Sequence, residues 1–394
     1  MSNTPKLRFP EFSGEWEEKK LSDFMTRLTR KNSNNESSRT LTISSVDGLI
    51  DQGEFFKKQI ASKDTSGYYL LKKGDFAYNK SYSVGYDYGS IKRLDRYEDG
   101  VVSTLYICMS LTSDTNSDYL THYFDSMKWN KSVSEISAEG ARNHGLLNIP
   151  TESFFQTKHY LAPTLAEQQK IADFLSNVDS IITAETKILN TLQKKKKALM
   201  QKLFTRQLRF KSDDGKDFPA WEEKKLGECV EILDSQRKPI ESKERANRKG
   251  EYPYYGASGI IDYIDDYLFE GESILLGEDG ANIINRNSRL AFIATGKYWV
   301  NNHAHIMKAN ADNLNYFICE YLESLDYSKI CAGSAQPKLT QDVIRNLTIK
   351  APCKEEQQKI ADCLSSLDSL IQTQQKVVTT WQQRKKALLQ QMFI

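Results

Sequence analysis

The sequence predicts an α+β chain: two globular mixed α/β domains joined by two long antiparallel helices that form a coiled coil, with pseudo-two-fold symmetry. Three observations predict it. Short segments recur in the same order along the 394 residues, the longer recurring segment carries an apolar stripe of helical period, and the stretches between the recurring segments diverge. The boundaries that follow are 1–162 for the first globular domain, 163–207 for the first helix, 208–350 for the second domain and 351–394 for the second helix.

The length exceeds what one small core organises, and 39% hydrophobic with 27% charged residues is the balance of ordinary globular domains, which excludes disordered and fibrous classes. No stretch approaches the roughly 18 apolar residues of a membrane span, and the opening MSNTPKLRFPEF lacks a secretory apolar run. The expectation is a cytoplasmic chain with no membrane contact. Six cysteines (Cys108, Cys229, Cys319, Cys331, Cys353, Cys363) stand without a C-x-x-C pair, which predicts reduced, buried thiols and no structural metal. With 54 basic against 52 acidic residues the net charge is only +2, so any DNA surface has to be local.

The first repeat is Trp16-Glu17-Glu18-Lys19-Lys20-Leu21, which returns as Trp221-Glu222-Glu223-Lys224-Lys225-Leu226, 205 residues later (221 − 16). Each copy follows a Leu-Arg-Phe (Leu7 to Phe9, Leu208 to Phe210) and a Phe-Pro pair. The second is Glu167-Gln168-Gln169-Lys170-Ile171-Ala172-Asp173, returning as Glu356-Gln357-Gln358-Lys359-Ile360-Ala361-Asp362 after 189 residues (356 − 167); the spacing holds to Lys196-Lys197-Ala198-Leu199 and Lys385-Lys386-Ala387-Leu388. The change of spacing makes the second intervening segment about sixteen residues shorter. Little matches inside these segments beyond Lys73-Gly74-Asp75 against Glu270-Gly271-Glu272.

The second repeat reads as a helix. Thr164, followed three residues later by Glu167, predicts a capping box; the second copy has Cys353 in that place, which leaves its start open by a residue or two. Ile171, Leu175, Val178, Ile182, Glu185, Leu189, Leu192, Lys196, Leu199 and Leu203 alternate steps of four and three. Ile360, Leu364, Leu367, Ile371, Gln374, Val378, Trp381, Lys385, Leu388 and Met392 do the same, with polar interruptions at matching places. That is the 3.5-residue period of a supercoiled seam. About forty residues make a helix roughly 60 Å long, which needs a partner, and the duplicate is the obvious one. Because the first helix runs into the second domain and the second helix leaves it, and domain termini commonly lie close together, the pair is predicted to be antiparallel.

Two related but unlike domains on such a spacer suit a bipartite target, since B-DNA repeats its groove faces about every 34 Å. The order of variable domain, helix, variable domain, helix, with E-Q-Q-K-I-A-D opening each helix, resembles the specificity subunit of type I restriction-modification systems. The resemblance spans the chain and is most specific at 163–173, at 351–362, and in the tracts Ser137-Ala138-Glu139-Gly140-Ala141-Arg142 and Gly333-Ser334-Ala335-Gln336-Pro337-Lys338-Leu339; Val300-Asn301-Asn302-His303-Ala304-His305 also fits. It implies two target-recognition domains, each reading one half of a bipartite site in double-stranded DNA. It further implies docking of two adenine-methylating modification subunits on the helices, and restriction subunits that complete a cleaving complex. Methyl transfer and ATP hydrolysis would then belong to the partners, with no catalytic residue and no cofactor in this chain.

DNA reading needs cations at phosphates and Arg, Lys, Asn, Gln or Ser at base edges. The candidates are Lys80, Ser81 and Tyr82 after an apparent strand, Arg142, Asn143 and His144 between two glycines, Asn282 and Arg286 in the loop 277–286, and Gln336 and Lys338 in 333–338. Basic runs at Arg27, Arg30 and Lys31, at Arg237-Lys238 and at 243–249 serve equally as phosphate anchors or solvated loops, and Lys194 to Lys197 and Arg384 to Lys386 read first as solvated helix ends. Enzyme readings are weaker. His303 and His305 lack a third metal ligand at convincing spacing, Gly277-Glu278-Asp279-Gly280 and Gly256-Ala257-Ser258-Gly259 lack the Lys-Ser/Thr of a P-loop, and Asn148-Ile149-Pro150 falls short of a methyltransferase tetrapeptide. The competing class is a protein scaffold whose paired helices bind partners and whose domains bind a ligand other than DNA.

Overall fold

In the computed structural model residues 3–56, 64–112, 114–137, 147–331 and 337–394 are described. The chain divides into two compact units, one of residues Met1–Thr186 with Lys376–Ile394, the other of Lys187–Gln375. Each unit therefore contains the beginning of one long helix and the end of the other.

In the first unit the repeated Glu17–Lys20 forms a strand antiparallel to Lys158–Leu161, with Glu17 opposite Leu161. A four-stranded antiparallel sheet follows in the order Met25–Arg27, Ile107–Leu111, Phe76–Asn79, Ser90–Arg93. The helix Ser117–Asp125, capped by the Asn116 side chain accepting from the Tyr119 amide, packs near the last of these strands. Trp16, Phe24, Phe76, Tyr78, Tyr119, Tyr123, Trp129 and Phe154 fill the core between them. The hairpin Leu41–Ser44 with Gly48–Asp51 and the pair Tyr69–Lys72 with Asp99–Val102 enclose a second apolar cluster around Leu41, Leu71 and Val102.

The second unit repeats the plan. Glu222–Lys225 pairs with Thr348–Ala351, and the four-stranded sheet runs Val230–Ile232, Ala304–Ala309, Ser273–Gly277, Ala291–Ala294. Its core gathers Trp221, Ile274, Leu276, Phe317, Ile318 and Leu322, the last three from the helix Asn315–Ser324. The segments that share almost no sequence thus share a sheet order. The isolated match around Gly74 and Gly271 marks why: both glycines hold φ near +90° (93° and 95°) in the turn entering the central strand, a region that favours glycine. The difference lies in the outer layer, which in the second unit is a sheet of Gly259–Ile264, Lys249–Gly256, Lys297–Val300 and Phe269–Glu270.

The long helices are Leu165–Phe204 and Lys354–Met392, and among the described residues no helix is long and apolar enough to cross a membrane. The Thr164 hydroxyl accepts from the Glu167 amide at 3.2 Å, one half of the expected capping box. The other half is replaced, because the Glu167 carboxylate is spent elsewhere. It is fully buried and accepts from Arg8 Nε and Nη2 at 2.7 and 2.8 Å and from Trp16 Nε1 at 3.2 Å. In the second unit Glu356 accepts from Arg209 Nε and Nη2 at 3.1 and 2.6 Å and from Trp221 Nε1 at 3.1 Å. The Leu-Arg-Phe, the Trp and the helix-opening Glu of each repeat are therefore one knot. Gln168 and Gln357 extend it, each donating to a carbonyl just ahead of its helix (Ala162, Pro352) and accepting an amide from the domain (Asn116, Leu314).

Every predicted seam residue is buried or half-buried: Ile171, Leu175, Val178, Ile182, Leu189 and Leu192 in the first helix, Ile360, Leu364, Leu367, Ile371, Val378 and Trp381 in the second. Within the first unit Ile171 and Leu175 share a cluster with Leu389, Met392 and Phe393; within the second, Met200 and Leu203 share one with Ile360 and Leu364. In each unit the beginning of one helix meets the end of the other, which is antiparallel packing. The polar interruptions carry matching ion pairs, Lys385 Nζ to Asp179 at 2.6 Å and Lys196 Nζ to Asp368 at 2.7 Å. Lys196 also meets the buried Glu320 at 2.8 Å. This corrects the solvated-end reading of Lys196 and Lys385. Lys194, Lys195 and Lys197 are exposed as that reading had it, whereas Lys196 sits on the seam and is neutralised there. All six cysteines are free thiols, Cys108, Cys229 and Cys319 buried and the other three only half-buried, a partial correction to the expectation of burial throughout.

Candidate nucleic-acid interface

In both units the central sheet strand delivers a loop from its end. In the first, Phe76–Asn79 runs into Lys80, Ser81 and Tyr82. The Asn79 side chain accepts from the Ser81 amide at 3.0 Å and the Ser83 carbonyl accepts from the Tyr86 amide at 2.8 Å, so the loop is a closed turn with Gly85 at φ +81°. Gly89 is obligatory behind it: an added Cβ would stand 2.0 Å from the Asn79 carbonyl oxygen. Tyr82 is exposed. Lys80 is half-buried, and its carbonyl accepts from the Leu147 amide at 3.0 Å. Its side chain lines a cavity of about 50 Å³ together with Arg27, Tyr69, Thr104, Leu105 and Thr151. Arg142, Asn143 and His144 lie outside the described residues.

In the second unit Ser273–Gly277 runs into residues 278–286. Gly277 is required by close approach, since an added Cβ would meet the Ala257 carbonyl at 2.6 Å. Asn282 opens the helical turn Asn282–Asn285 and folds its amide back, donating to the Ser288 carbonyl at 3.2 Å and accepting from the Ser288 amide at 3.0 Å. Arg286, at φ +51°, donates to the Glu323 carbonyl at 2.6 Å and pairs with its carboxylate at 2.8 Å. Both of these side chains shape the loop. Lys338 is half-exposed, bridges Asp279 through the backbone and reaches Glu278 at 3.3 Å; Gln336 lies outside the described residues.

Beneath these loops is a network that the sequence signalled only through its histidines. His305 is buried with Nδ1 2.5 Å from Asp234 and Nε2 2.8 Å from the Leu339 carbonyl. Arg237 Nη1 donates to Glu278 at 2.8 Å and to the Ala304 carbonyl at 2.7 Å, and the Glu278 amide and carbonyl bond the His303 carbonyl and the Leu339 amide, both at 2.8 Å. Burial pushes the Asp234 carboxyl up, but the hydrogen bond and charge of His305, the Ile306 amide and Arg237 outweigh it and hold Asp234 below the ordinary carboxylate value. The network ties residues 234–237, 278–279, 303–305 and 338–339 together under the exposed loop. Arg237 is accordingly an internal strut, a correction to its reading as a phosphate anchor or solvated loop cation. In the run 243–249, Arg245 and Arg248 are likewise held by Asp262 and Asp265. In the first unit Arg30 is held by Asp75 and Lys31 donates to the Gly67 carbonyl, while Arg27 is exposed.

Residues 220–380 match the family model described as the type I restriction modification DNA specificity domain. A putative type I restriction enzyme specificity subunit of Haemophilus influenzae is 35% identical over 147 residues, which is 37% of this chain and 37% of that relative. The MjaVIII specificity subunit of Methanocaldococcus jannaschii is 24% identical over 97% of this chain and 92% of its own length. Among solved structures, a type I restriction-modification S subunit from M. genitalium superposes with a TM-score of 0.60 at 14% identity, covering 99% of both chains, a likeness of fold.

Proposed function

We propose that the chain is a specificity subunit of a type I restriction-modification system, in which each globular domain reads one half of a bipartite site in double-stranded DNA while the paired helices dock two adenine-methylating modification subunits. The length of the helices then sets the gap of unread bases. Restriction subunits complete the cleaving complex, and methyl transfer, ATP hydrolysis and cleavage are the partners' chemistry.

One observation carries this reading. The two units have the same sheet order and the same Arg–Glu–Trp knot, yet the loops leaving the central strands differ in residue type and in bonding. A retained frame with exchanged loops is what two readers of unlike half-sites need. In the first domain the DNA-contacting residues are Lys80, Ser81 and Tyr82, joined by Arg142, Asn143 and His144. In the second they are Lys338 and Gln336, with Asn282 and Arg286 shaping the loop 277–286.

The test is co-purification with the modification subunits followed by mapping of methylated adenines across a genome with and without this chain. The reading expects one bipartite motif with a fixed gap, and duplex binding that weakens with salt. Failure to bind any duplex at any salt, with the modification subunits present, refutes it and leaves the scaffold.

A further inference from the structure

Most exposed apolar side chains on a soluble protein need no explanation. Two in the first unit do. Val84 (90% exposed) and Val46 (82%) are the most exposed of the large hydrophobics among the described residues, and they sit on two different loops bonded to each other. The Ser45 hydroxyl lies 3.0 Å from the Ser83 hydroxyl and 3.2 Å from that of Ser90, and the two exposed valines directly follow Ser45 and Ser83.

Both loops are built to hold still. The Ser44 hydroxyl donates to Asp47 at 2.9 Å and accepts its amide at 3.0 Å, with Gly48 at φ +81° completing the hairpin turn. The 83–86 turn closes the other loop. An aliphatic side chain held rigidly in water costs solvation and returns nothing to the fold, so its contact lies outside the chain. The same unit also carries two cations without an ion-pair partner among the described residues, Arg27 and Lys80, which line one cavity with Thr104 and Thr151. Neighbouring Arg30, Lys73, Lys92 and Arg93 are all paired.

We propose that Val46 and Val84 are specificity-determining residues that read thymine methyl groups in the major groove of the first half-site, with Arg27 and Lys80 on the flanking phosphates. The inference rests on the DNA-reading function above and names its chemistry. The major groove displays one apolar group, the C5 methyl of thymine, and a small aliphatic side chain is its complement. Phosphate cations position the loop without discriminating bases.

The experiment uses the full chain with its modification subunits on a duplex carrying the mapped site, in which each thymine of either half-site is replaced in turn by deoxyuridine. Uracil pairs as thymine does and lacks only the methyl. At one or two positions of the first half-site the replacement is expected to weaken binding by about four- to tenfold, the worth of one buried methyl-sized group. The Val46→Ala, Val84→Ala double variant loses that sensitivity while keeping its response to second-half-site replacements, which also shows that it is folded. Arg27→Ala and Lys80→Ala weaken every duplex alike and flatten the salt dependence. Undiminished binding to all uracil duplexes, an uracil penalty that survives in the valine variant, or a first half-site without an A·T pair overturns the proposal. Absence of binding to any duplex by the unmodified complex instead overturns the DNA-reading function beneath it.

Discussion

Replacing Glu167 by glutamine tests the knot that roots the first long helix in its domain. The carboxylate is 1% exposed and neutralises Arg8, whose side chain is 13% exposed, while also accepting from the Trp16 indole. Glutamine keeps the shape and one acceptor oxygen but removes the charge and turns an amide N–H₂ toward donors. Breaking a buried ion pair by removing one partner costs about 3–5 kcal/mol, because the other charge is left desolvated. The retained acceptor and the partial exposure of Arg8 reduce this to about 2–4 kcal/mol. For a unit of this size that is a fall in melting temperature of about 5–12 °C. Urea unfolding followed by tryptophan fluorescence reads it, with hydrogen exchange at residues 165–175 locating it. Arg209 is 30% exposed where Arg8 is 13%, so Glu356→Gln should cost less than Glu167→Gln. Replacing both partners, Arg8→Met with Glu167→Leu, should recover most of the loss, leaving about 1 kcal/mol for the orphaned Trp16 N–H. A Glu167→Gln chain within 0.5 kcal/mol of the parent would refute the knot as the anchor.

Phe393 packs on Trp16, Tyr119 and Tyr123 with ring centroids 6.1, 5.4 and 5.8 Å away, so Phe393→Ala should cost about 3–5 kcal/mol and expose the first unit, but not the second, to faster hydrogen exchange. His159 is buried between the Tyr123 and Thr157 hydroxyls, and burial lowers its imidazole to about 3. The unfolded chain therefore binds the extra proton first, so stability present above pH 6.5 is lost as pH falls from there toward 3, by about 2 kcal/mol at pH 5; His159→Gln should flatten that part of a stability–pH curve. Lys196 has 7% of its side chain exposed and faces the buried Glu320, whereas Lys385 has 19% and faces better-solvated carboxylates. Lys196→Met should therefore destabilise more than Lys385→Met in urea titrations, and equal losses would contradict that ranking.

The long helices and their seam were legible because the signals are local and periodic, one apolar residue every three or four, repeated twice; their direction followed from the chain's connectivity. What stayed hidden is non-local. Lys196 stands on the stripe as an unexplained polar interruption until the fold brings Asp368 against it, 172 residues away in sequence. Arg237 reads as a surface cation until Glu278 and the Ala304 carbonyl close on it. The sheet order common to both units could not be read from two segments with almost no matching residues, because antiparallel pairing demands only alternating burial and turns of the right shape. The Gly74 and Gly271 match was the surviving trace, kept where φ near +90° leaves few alternatives. For the candidate DNA-contacting loops the sequence marked places rather than contacts, and in Asn282 and Arg286 it picked out side chains whose polar groups are bonded to their own loop and to Glu323.

The distribution of likeness between the two halves follows from what each residue would lose if changed. Arg8 and Arg209, Trp16 and Trp221, Glu167 and Glu356 are identical because each stands in a buried, fully bonded group where one substitution strands a charge or a donor. Lys196 and Lys385, with Asp368 and Asp179, are identical for the same reason. Loop residues such as Tyr82, Val84 and Ile284 are exposed, and exchanging a surface side chain typically moves stability by no more than about 0.5 kcal/mol. A frame that tolerates no change and tips that tolerate almost any change would let the proposed recognition diverge without cost to folding. On that argument, exchanging the exposed Tyr82 and Val84 for other residues should leave the unfolding midpoint unmoved while altering which duplexes are held. A chain whose stability tracked those exchanges would show that the tips belong to the frame after all.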